Sequence, residues 1–487
     1  MNIEWVKSSF LANEISLRFD TEYICRDLTA SAGDYYTFPD LYSIVSDDNV
    51  NVENLSEIRY VEIGNITNQE DVYPVFIDFN DRNELNEKYF RKIEKGDIIE
   101  VRNNDILISK VRPYLKKFLL IDDSNNSYFY TSAFIHIRPK ANPKVFFYAL
   151  KNIFNNSLNS LSRQGKGYPT LNEKDLCYMK FDKGAVDILI SKSEKLQKEI
   201  EVIEKKIKEL KKKISLDEEI INLIIIREFD LDIDELMRLD NLKFLSLDFQ
   251  ELPEGSMELR NSVRFMKMRL IQQEMIRHFE KFAFLEDFLI KPYTKNGWSP
   301  ENNEIDGATK ILGIDSIHFN GNLMVDNPKY TNEYRDDIDS FYVQNNDFFV
   351  SRGNTVDLVA LASIAENIDD VYIYPDIMIK LYVDETKINK KYLAYVFNSI
   401  IGRLYFKYAS RGKQQTMVKV SSDTICNFII PQIDLNKQNA IVQEIKNSID
   451  AQKEIVDQIK SLRNEIDLIM EDFLSHRRDW HPYEESK

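Results

Sequence analysis

The chain has 487 residues, of which 43% are hydrophobic and 12% aromatic, with three cysteines and a net charge of −16. That much apolar material excludes global disorder, and Cys25, Cys177 and Cys426, far apart and without CxxC spacing, exclude both a disulfide framework and a cysteine zinc site and imply a reducing setting. The acidity argues against a protein that coats nucleic acid over its whole surface, though not against binding through local basic faces; the absence of a signal-like start and of any run of about 18 apolar residues leads to the expectation of a soluble cytoplasmic protein with no membrane partner.

In chain order, the first predicted elements are short apolar runs bounded by Asn, Asp, Gly and Pro, over Ile98–Val101, Ile106–Ser109, Phe118–Ile121 and Phe134–Ile137, which read as strands. A helical patch follows over Val145–Asn155. From about 185 to 227 a longer helix is expected, because Leu189, Ser193, Leu196, Ile200, Ile203, Ile207, Leu210 and Ile214 alternate in steps of four and three. At about 1.5 Å per residue such a rod would be some 65 Å long and must bury its seam on a partner. An acidic connector beginning at Glu228 leads to a segment rich in cations, Arg260, Arg264, Lys267, Arg269, Arg277 and Lys281, readable either as a basic helix facing nucleic acid or as a solvated amphipathic one. A helical patch over Lys391–Phe406 comes next. Then Pro431, the plausible cap Asp434 and Gln438 open a second heptad seam, Ile441, Ile445, Ser448, Gln452, Ile455, Ile459, Leu462, Ile466, Ile469 and Phe473. The first rod's natural partner in length and composition is this second one.

The chain is also an imperfect duplication. Ser162-Arg163-Gln-Gly165-Lys166, followed by Asp175, recurs as Ser410-Arg411-Gly412-Lys413, followed by Asp423. Upstream, Val101-Arg-Asn-Asn-Asp105-Ile-Leu-Ile-Ser109-Lys110 parallels Val343-Gln-Asn-Asn-Asp347-Phe-Phe-Val-Ser351-Arg352. Ile63-Gly-Asn-Ile66 and Ile314-Asp-Ser-Ile317 match more loosely, as do the segments starting at Tyr128 and Tyr372; Arg18-Phe-Asp20 and Arg238-Leu-Asp240 would open the two copies. The expected fold is therefore α+β: two pseudo-symmetric α/β globules joined by two long helices forming an antiparallel coiled coil.

No catalytic signature is present: there is no GxxxxGK[ST], GxSxG, HExxH or kinase set, and no Asn/Asp-Pro-Pro-aromatic turn of the kind that holds a flipped base for amine methylation. The five histidines lack ligand spacing. One string, Asp376 with Glu385 and Lys387, has the composition of a metal nuclease. What recurs in both copies is cationic: Lys110 and Arg112 against Arg352, and Arg163 and Lys166 against Arg411 and Lys413, with Tyr114, Lys116, Lys117 and Tyr168 nearby. Cations in polar and Gly-rich loops suit phosphate or base-edge contacts. The candidate DNA-binding residues are Lys110, Arg112, Lys116, Arg163, Lys166, Arg352, Arg411 and Lys413.

Two globules each followed by a heptad helix, with Ser-Arg-Gly-Lys ending the second globule and Ile429-Ile-Pro-Gln-Ile-Asp-Leu-Asn-Lys-Gln438-Asn-Ala-Ile-Val at the second join, resemble a type I restriction-modification specificity subunit. The resemblance implies a first target recognition domain over 1–184, a spacer helix over 185–228, the connector over 229–256, a second target recognition domain over 257–434, a second spacer helix over 435–474 and a tail over 475–487. It further implies double-stranded DNA and two methylation subunits as partners, joined by restriction subunits in a cleaving complex. S-adenosylmethionine would belong to the partners, with no cofactor, metal or catalytic residue in this chain. The alternatives are a coiled-coil scaffold with duplicated heads that binds no DNA, and an autonomous nuclease built on Asp376, Glu385 and Lys387.

Overall fold

The computed structural model of the protein describes residues 35–475 apart from 46–49, 51, 53–54, 68–69, 81–86, 162–168, 178, 243–262, 304–306, 326 and 415–416. The chain divides into two units, one containing residues up to 212 and from 458 onward, the other residues 213–457.

The first unit carries strands β1 (Tyr35–Thr37), β2 (Tyr42–Ile44), β3 (Glu57–Val61), β4 (Val75–Asp78), β5 (Ile106–Ser109), β6 (Phe118–Leu120), β7 (Phe129–Tyr130), β8 (Phe134–Pro139) and β9 (Lys180–Asp182). They form a four-stranded sheet in the order β2-β8-β5-β6, a three-stranded sheet β4-β3-β7 and a β1-β9 ribbon. In the second unit β10 (Phe282–Phe284), β11 (Leu289–Asn296), β12 (Thr309–Ile311), β13 (Asn322–Leu323), β14 (Lys329–Thr331), β15 (Phe348–Ser351), β16 (Gly353–Asn354), β17 (Ala362–Ala365), β18 (Tyr372–Ile373), β19 (Met378–Val383), β20 (Arg411–Gln414), β21 (Met417–Lys419) and β22 (Ile429–Pro431) repeat the plan. Their sheets run β11-β19-β15-β17-β13 and β14-β12-β18, with a β10-β22 ribbon and an added β16-β21-β20 sheet.

The correspondence extends to register. β3 pairs in parallel with β7 through Tyr60↔Phe129, as β12 does with β18 through Lys310↔Tyr372. The β1 and β10 ribbons are each followed by a residue whose N–H reaches back, Phe38 to Met179 O and Leu285 to Phe428 O. Duplication inferred from scattered residue identities is thus duplication of the hydrogen-bond plan. Ile98–Val101, expected as a strand, makes only an isolated bridge, Ile99↔Tyr130; its apolar side chains are buried, but among the described residues no neighbour extends the ladder.

The helices depart from expectation at three places. α1 (Pro143–Leu161) is longer than its apolar patch. α2 (Lys183–Lys211) and α3 (Asp217–Phe229) occupy the stretch where one helix over 185–228 was predicted. The break needs neither Pro nor Gly. It is satisfied by side chains: Glu219 Oε2 accepts the Leu216 N–H at 2.9 Å and Gln452 Oε1 accepts the Ser215 N–H at 3.0 Å. Past the break, α4 (Ile233–Asp240) buries Leu236 and Leu239 in the second unit's core, and α5 (Val263–Arg277) packs there through Met268, Ile271 and Met275. The patch at 391–406 is likewise two helices, α6 (Lys390–Asn398) and α7 (Ile400–Ala409). Here Asn222 Oδ1 caps the Ile400 N–H at 2.6 Å, and a Cβ on Gly402 would lie 2.1 Å from the Phe397 carbonyl oxygen, so only glycine fits the turn.

The last helix, α8 (Leu435–Ser475), runs unbroken. In the second unit it is antiparallel to α3: Lys437 pairs with Glu228 at 2.7 Å, Arg227 with Glu444 at 2.6 Å, and Gln452 meets Ser215. In the first unit its final turns run antiparallel to α2, with Arg463 near Asp71, which also binds Lys211, and Phe473 under the Lys192 ammonium. Of the predicted seam, Leu189, Leu196, Ile200, Ile203, Ile207, Ile441, Ile445, Ile459 and Ile466 are buried. Ile214, adjoining the break, is exposed.

Candidate functional site

Each globule builds the same small frame around its central strand. The turn before β5 holds Asn104 at φ 72°, and the turn before β15 holds Asn346 at φ 72°, the left-handed conformation that Asn tolerates. The next residue closes both turns: Asp105 Oδ2 accepts the Arg102 N–H and Asp347 Oδ2 the Gln344 N–H, each at 2.9 Å. Each carboxylate also meets a cation on the neighbouring strand, Arg138 Nε at 2.7 Å from Asp105 and Lys380 Nζ at 2.6 Å from Asp347. In the first globule His136 Nε2 adds a third contact, 2.8 Å from Asp105. Burial alone would raise the Asp105 pKa, but the hydrogen bonds from His136, Arg138 and the Arg102 N–H outweigh it and hold the carboxyl at about 2.

The central strands end in Ser109 and Ser351, and there the candidate cations begin. The Leu171 N–H donates to Lys110 O at 2.8 Å, and the Val420 N–H donates to Arg352 O at 2.9 Å, so the first cation of each copy is tied by its backbone to the chain beyond the second cationic motif. In the second copy the cations at 352 and 411, far apart in sequence, are thereby drawn into one locality. Arg163 and Lys166 themselves, with Tyr168, lie outside the described residues.

In the first globule Lys110 pairs with Glu173 at 2.8 Å and donates to Ser132 O at 3.0 Å. Arg112 and Lys116 are exposed at either end of a short turn, Pro113–Leu115, and both have left-handed backbone, φ 49° and 52°. Tyr114 between them is exposed, whereas Lys117 turns inward to Ile63 O at 2.8 Å, and its burial lowers the ammonium pKa. In the second globule Arg352 is half-buried and donates to Asp376 O at 3.2 Å. Gly353 pairs with Lys419, which pairs with Arg411, so β21 lies between β16, which follows Arg352, and β20, which carries Arg411 and Lys413. Arg411 and Lys419 are exposed.

The nuclease-like string does not assemble. Asp376 precedes β19 and accepts the Ser299 hydroxyl at 2.7 Å, while Glu385 and Lys387 follow that strand, bound to Lys390 at 2.7 Å and to Asp287 O at 2.9 Å respectively. A six-residue strand of about 3.3 Å per residue separates the carboxylates. Among the described residues no group of three or more His, Cys, Asp or Glu is placed to hold a metal. Of the cation-rich segment, Arg264, Lys267, Arg269 and Arg277 lie on α5 and Arg260 lies outside the described residues; much of the helix's charge is used internally: Arg264 bonds Lys407 O and Ser410, Lys267 bonds Asp240 O, and Arg277 pairs with Glu274.

Two functional residues escaped the sequence reading. Gln438, noted there only as part of the join, is buried; its amide accepts the Asn389 N–H at 2.7 Å and donates to Ile433 O at 2.9 Å, fixing the root of α8 to that of α6. Arg403, half-buried, donates to Val359 O and Ala360 O at 2.8 and 2.7 Å, bracing the loop after Arg352, and desolvation lowers its pKa to about 10. Nothing in a lone Arg within an apolar helix marks that role. Among the described residues no helix is long and apolar enough to cross a membrane.

No family model matches the chain, and no curated protein does. Among solved structures it is similar to a chain from work on complex assembly and conformational transition of the type I R-M system, with 14% identity over 92% of this chain and 99% of that one and a TM-score of 0.39. It is similar also to the HsdS subunit from Thermoanaerobacter tengcongensis, with 14% identity over 92% and 96% and a TM-score of 0.28. A third is the S subunit of a type I restriction-modification system from M. genitalium, with 11% identity over 91% and 97% and a TM-score of 0.37.

Proposed function

We propose that this chain is the non-catalytic, sequence-reading subunit of an adenine-methylating restriction-modification complex. Each globule reads one half of a split target in double-stranded DNA, and the helices α2, α3 and α8 set the unread distance between the halves and dock two methylation subunits. S-adenosylmethionine and the chemistry reside on those partners, and restriction subunits join where the complex cleaves. In this reading the chain itself supplies neither cofactor nor metal.

The observation that carries the reading is the repeated frame. Two globules with one hydrogen-bond plan place a cation-bearing loop at the same point, after Ser109 and after Ser351, while the loops themselves differ. A shared frame with divergent loops is what two readers of different sequences require. The antiparallel pairing of α8 with α2 in one unit and with α3 in the other supports the spacer role.

Fluorescence anisotropy of labelled duplex DNA with the purified chain, titrated with salt, tests the DNA reading. Affinity should fall steeply with salt, with a log–log slope of about −0.9 per phosphate contact. A salt-insensitive or absent signal would instead fit a scaffold that binds no DNA.

A further inference from the structure

The two loops sit on matched anchors. Ser109 donates its N–H to Lys117 O at 3.1 Å, and Ser351 donates its N–H to Leu361 O at 2.9 Å. Just inside the far anchor each loop has a left-handed non-glycine residue, Lys116 at φ 52° and Ala360 at φ 60°. Each serine hydroxyl also binds back into its own loop, Ser109 Oγ to Val111 O and Ser351 Oγ to Leu358 O. Between these fixed points the first globule inserts residues 111–115 and the second residues 353–359, two residues more.

The roots are rigid and the tips are open. Buried Pro113 and the left-handed Arg112 hold the first loop; Arg403, through three loop carbonyls, and the Gly353–Lys419 pairing hold the second. The exposed side chains differ in charge: Arg112, Tyr114 and Leu115 in the first insert, Thr355, Asp357 and Leu358 in the second. Pre-organised loops of this sort keep their contacts without ordering on binding.

We infer that residues 111–115 and 353–359 are the specificity-determining inserts of the two globules, with Arg112 reading a guanine in one half-site and Asp357 accepting from the cytosine amine in the other. This rests on the DNA-reading function proposed above. The chemistry follows from the groups presented. A guanidinium fork matches guanine O6 and N7 in the major groove, whereas a carboxylate is repelled by phosphate and finds its partner in the exocyclic amine of cytosine. The cations outside the inserts, Lys110 and Lys116 in one copy and Arg352 and Arg411 in the other, grip the backbone.

The test is made on the full chain, co-expressed with its methylation subunits in a host lacking the gene, with methylated adenines mapped by single-molecule sequencing. Arg112→Ala should relax one G·C position in one half of the methylated motif and leave the other half intact, and Arg112→Lys, which keeps charge but loses the fork, should relax it too. Asp357→Ala should relax a position in the opposite half only. Replacing 111–115 by the sequence of 353–359 should change one half-site, and melting curves matching wild type show that the variants fold. An unchanged motif with uniformly weaker methylation would make Arg112 a phosphate contact and overturn the assignment, as would relaxation in both halves. If the wild-type gene adds no two-part methylated motif, the proposed function itself fails, whatever the loops do.

Discussion

Asp105 has no exposed surface and accepts four hydrogen bonds from three residues, so its charge is bound to the fold. Its folded pKa of about 2 lies below the ordinary 3.8, so its contribution is complete above about pH 4 and is lost as pH falls toward 2. The difference amounts to about 2 kcal/mol, and urea denaturation at pH 3 and pH 6 should show the wild type losing more stability on acidification than Asp105→Ala. At pH 7 that variant removes the carboxylate that accepts from His136 and Arg138 and should cost about 3 kcal/mol. The Asn-Asn-Asp repeat was legible because Asn at a left-handed turn and Asp as its acceptor leave a mark in sequence. Arg138 and Lys380, which complete the same device, did not stand out, since a cation on a strand has no local signature.

Gln452 explains a polar position in the second heptad seam. Its amide serves the Ser215 N–H at the break between α2 and α3. Gln452→Leu would complete the apolar stripe, and by pattern alone should stabilise; with the N–H left unpaired it should instead destabilise by about 1–3 kcal/mol, read by thermal unfolding. Proline inside either partner, Ile207→Pro or Ile459→Pro, should cost about 3 kcal/mol or more, and loss of the methylation spacer's fixed length in such variants would check the ruler role. The seams themselves were legible because period is a property of sequence. The two helix breaks were not, because each depends on a capping amide from a remote segment, Gln452 for one and Asn222 for the other.

At the scale of the whole molecule, exchanging residues 1–184 for those of a related subunit should change one half of the methylated motif and spare the other; changes in both halves would deny the globules independence. The purified chain, incubated with labelled S-adenosylmethionine and duplex DNA, should transfer no methyl group, and with Mg²⁺ should leave DNA uncut. Any incorporation above background would place a catalytic site in this chain. Duplication was readable from sequence since turns and anchors recur at near-constant displacement. The unequal inserts between the anchors were not, because only the hydrogen bonds at Lys117 and Leu361 say where each loop ends.

The division of α8 between the units has a consequence for biosynthesis. The first unit's helical seam, Leu196, Ile200, Ile203 and Ile207 on α2, belongs with Ile459, Ile466 and Met470, which leave the ribosome roughly 250 residues after α2 ends. At about 5–20 residues per second the wait is on the order of 12–50 s, during which the amino-terminal half cannot finish folding while the second unit, complete by residue 457, can. A nascent chain stalled near residue 457 should therefore expose a strip of isoleucines to a hydrophobic dye or a chaperone, and the part made first would be the part that matures last.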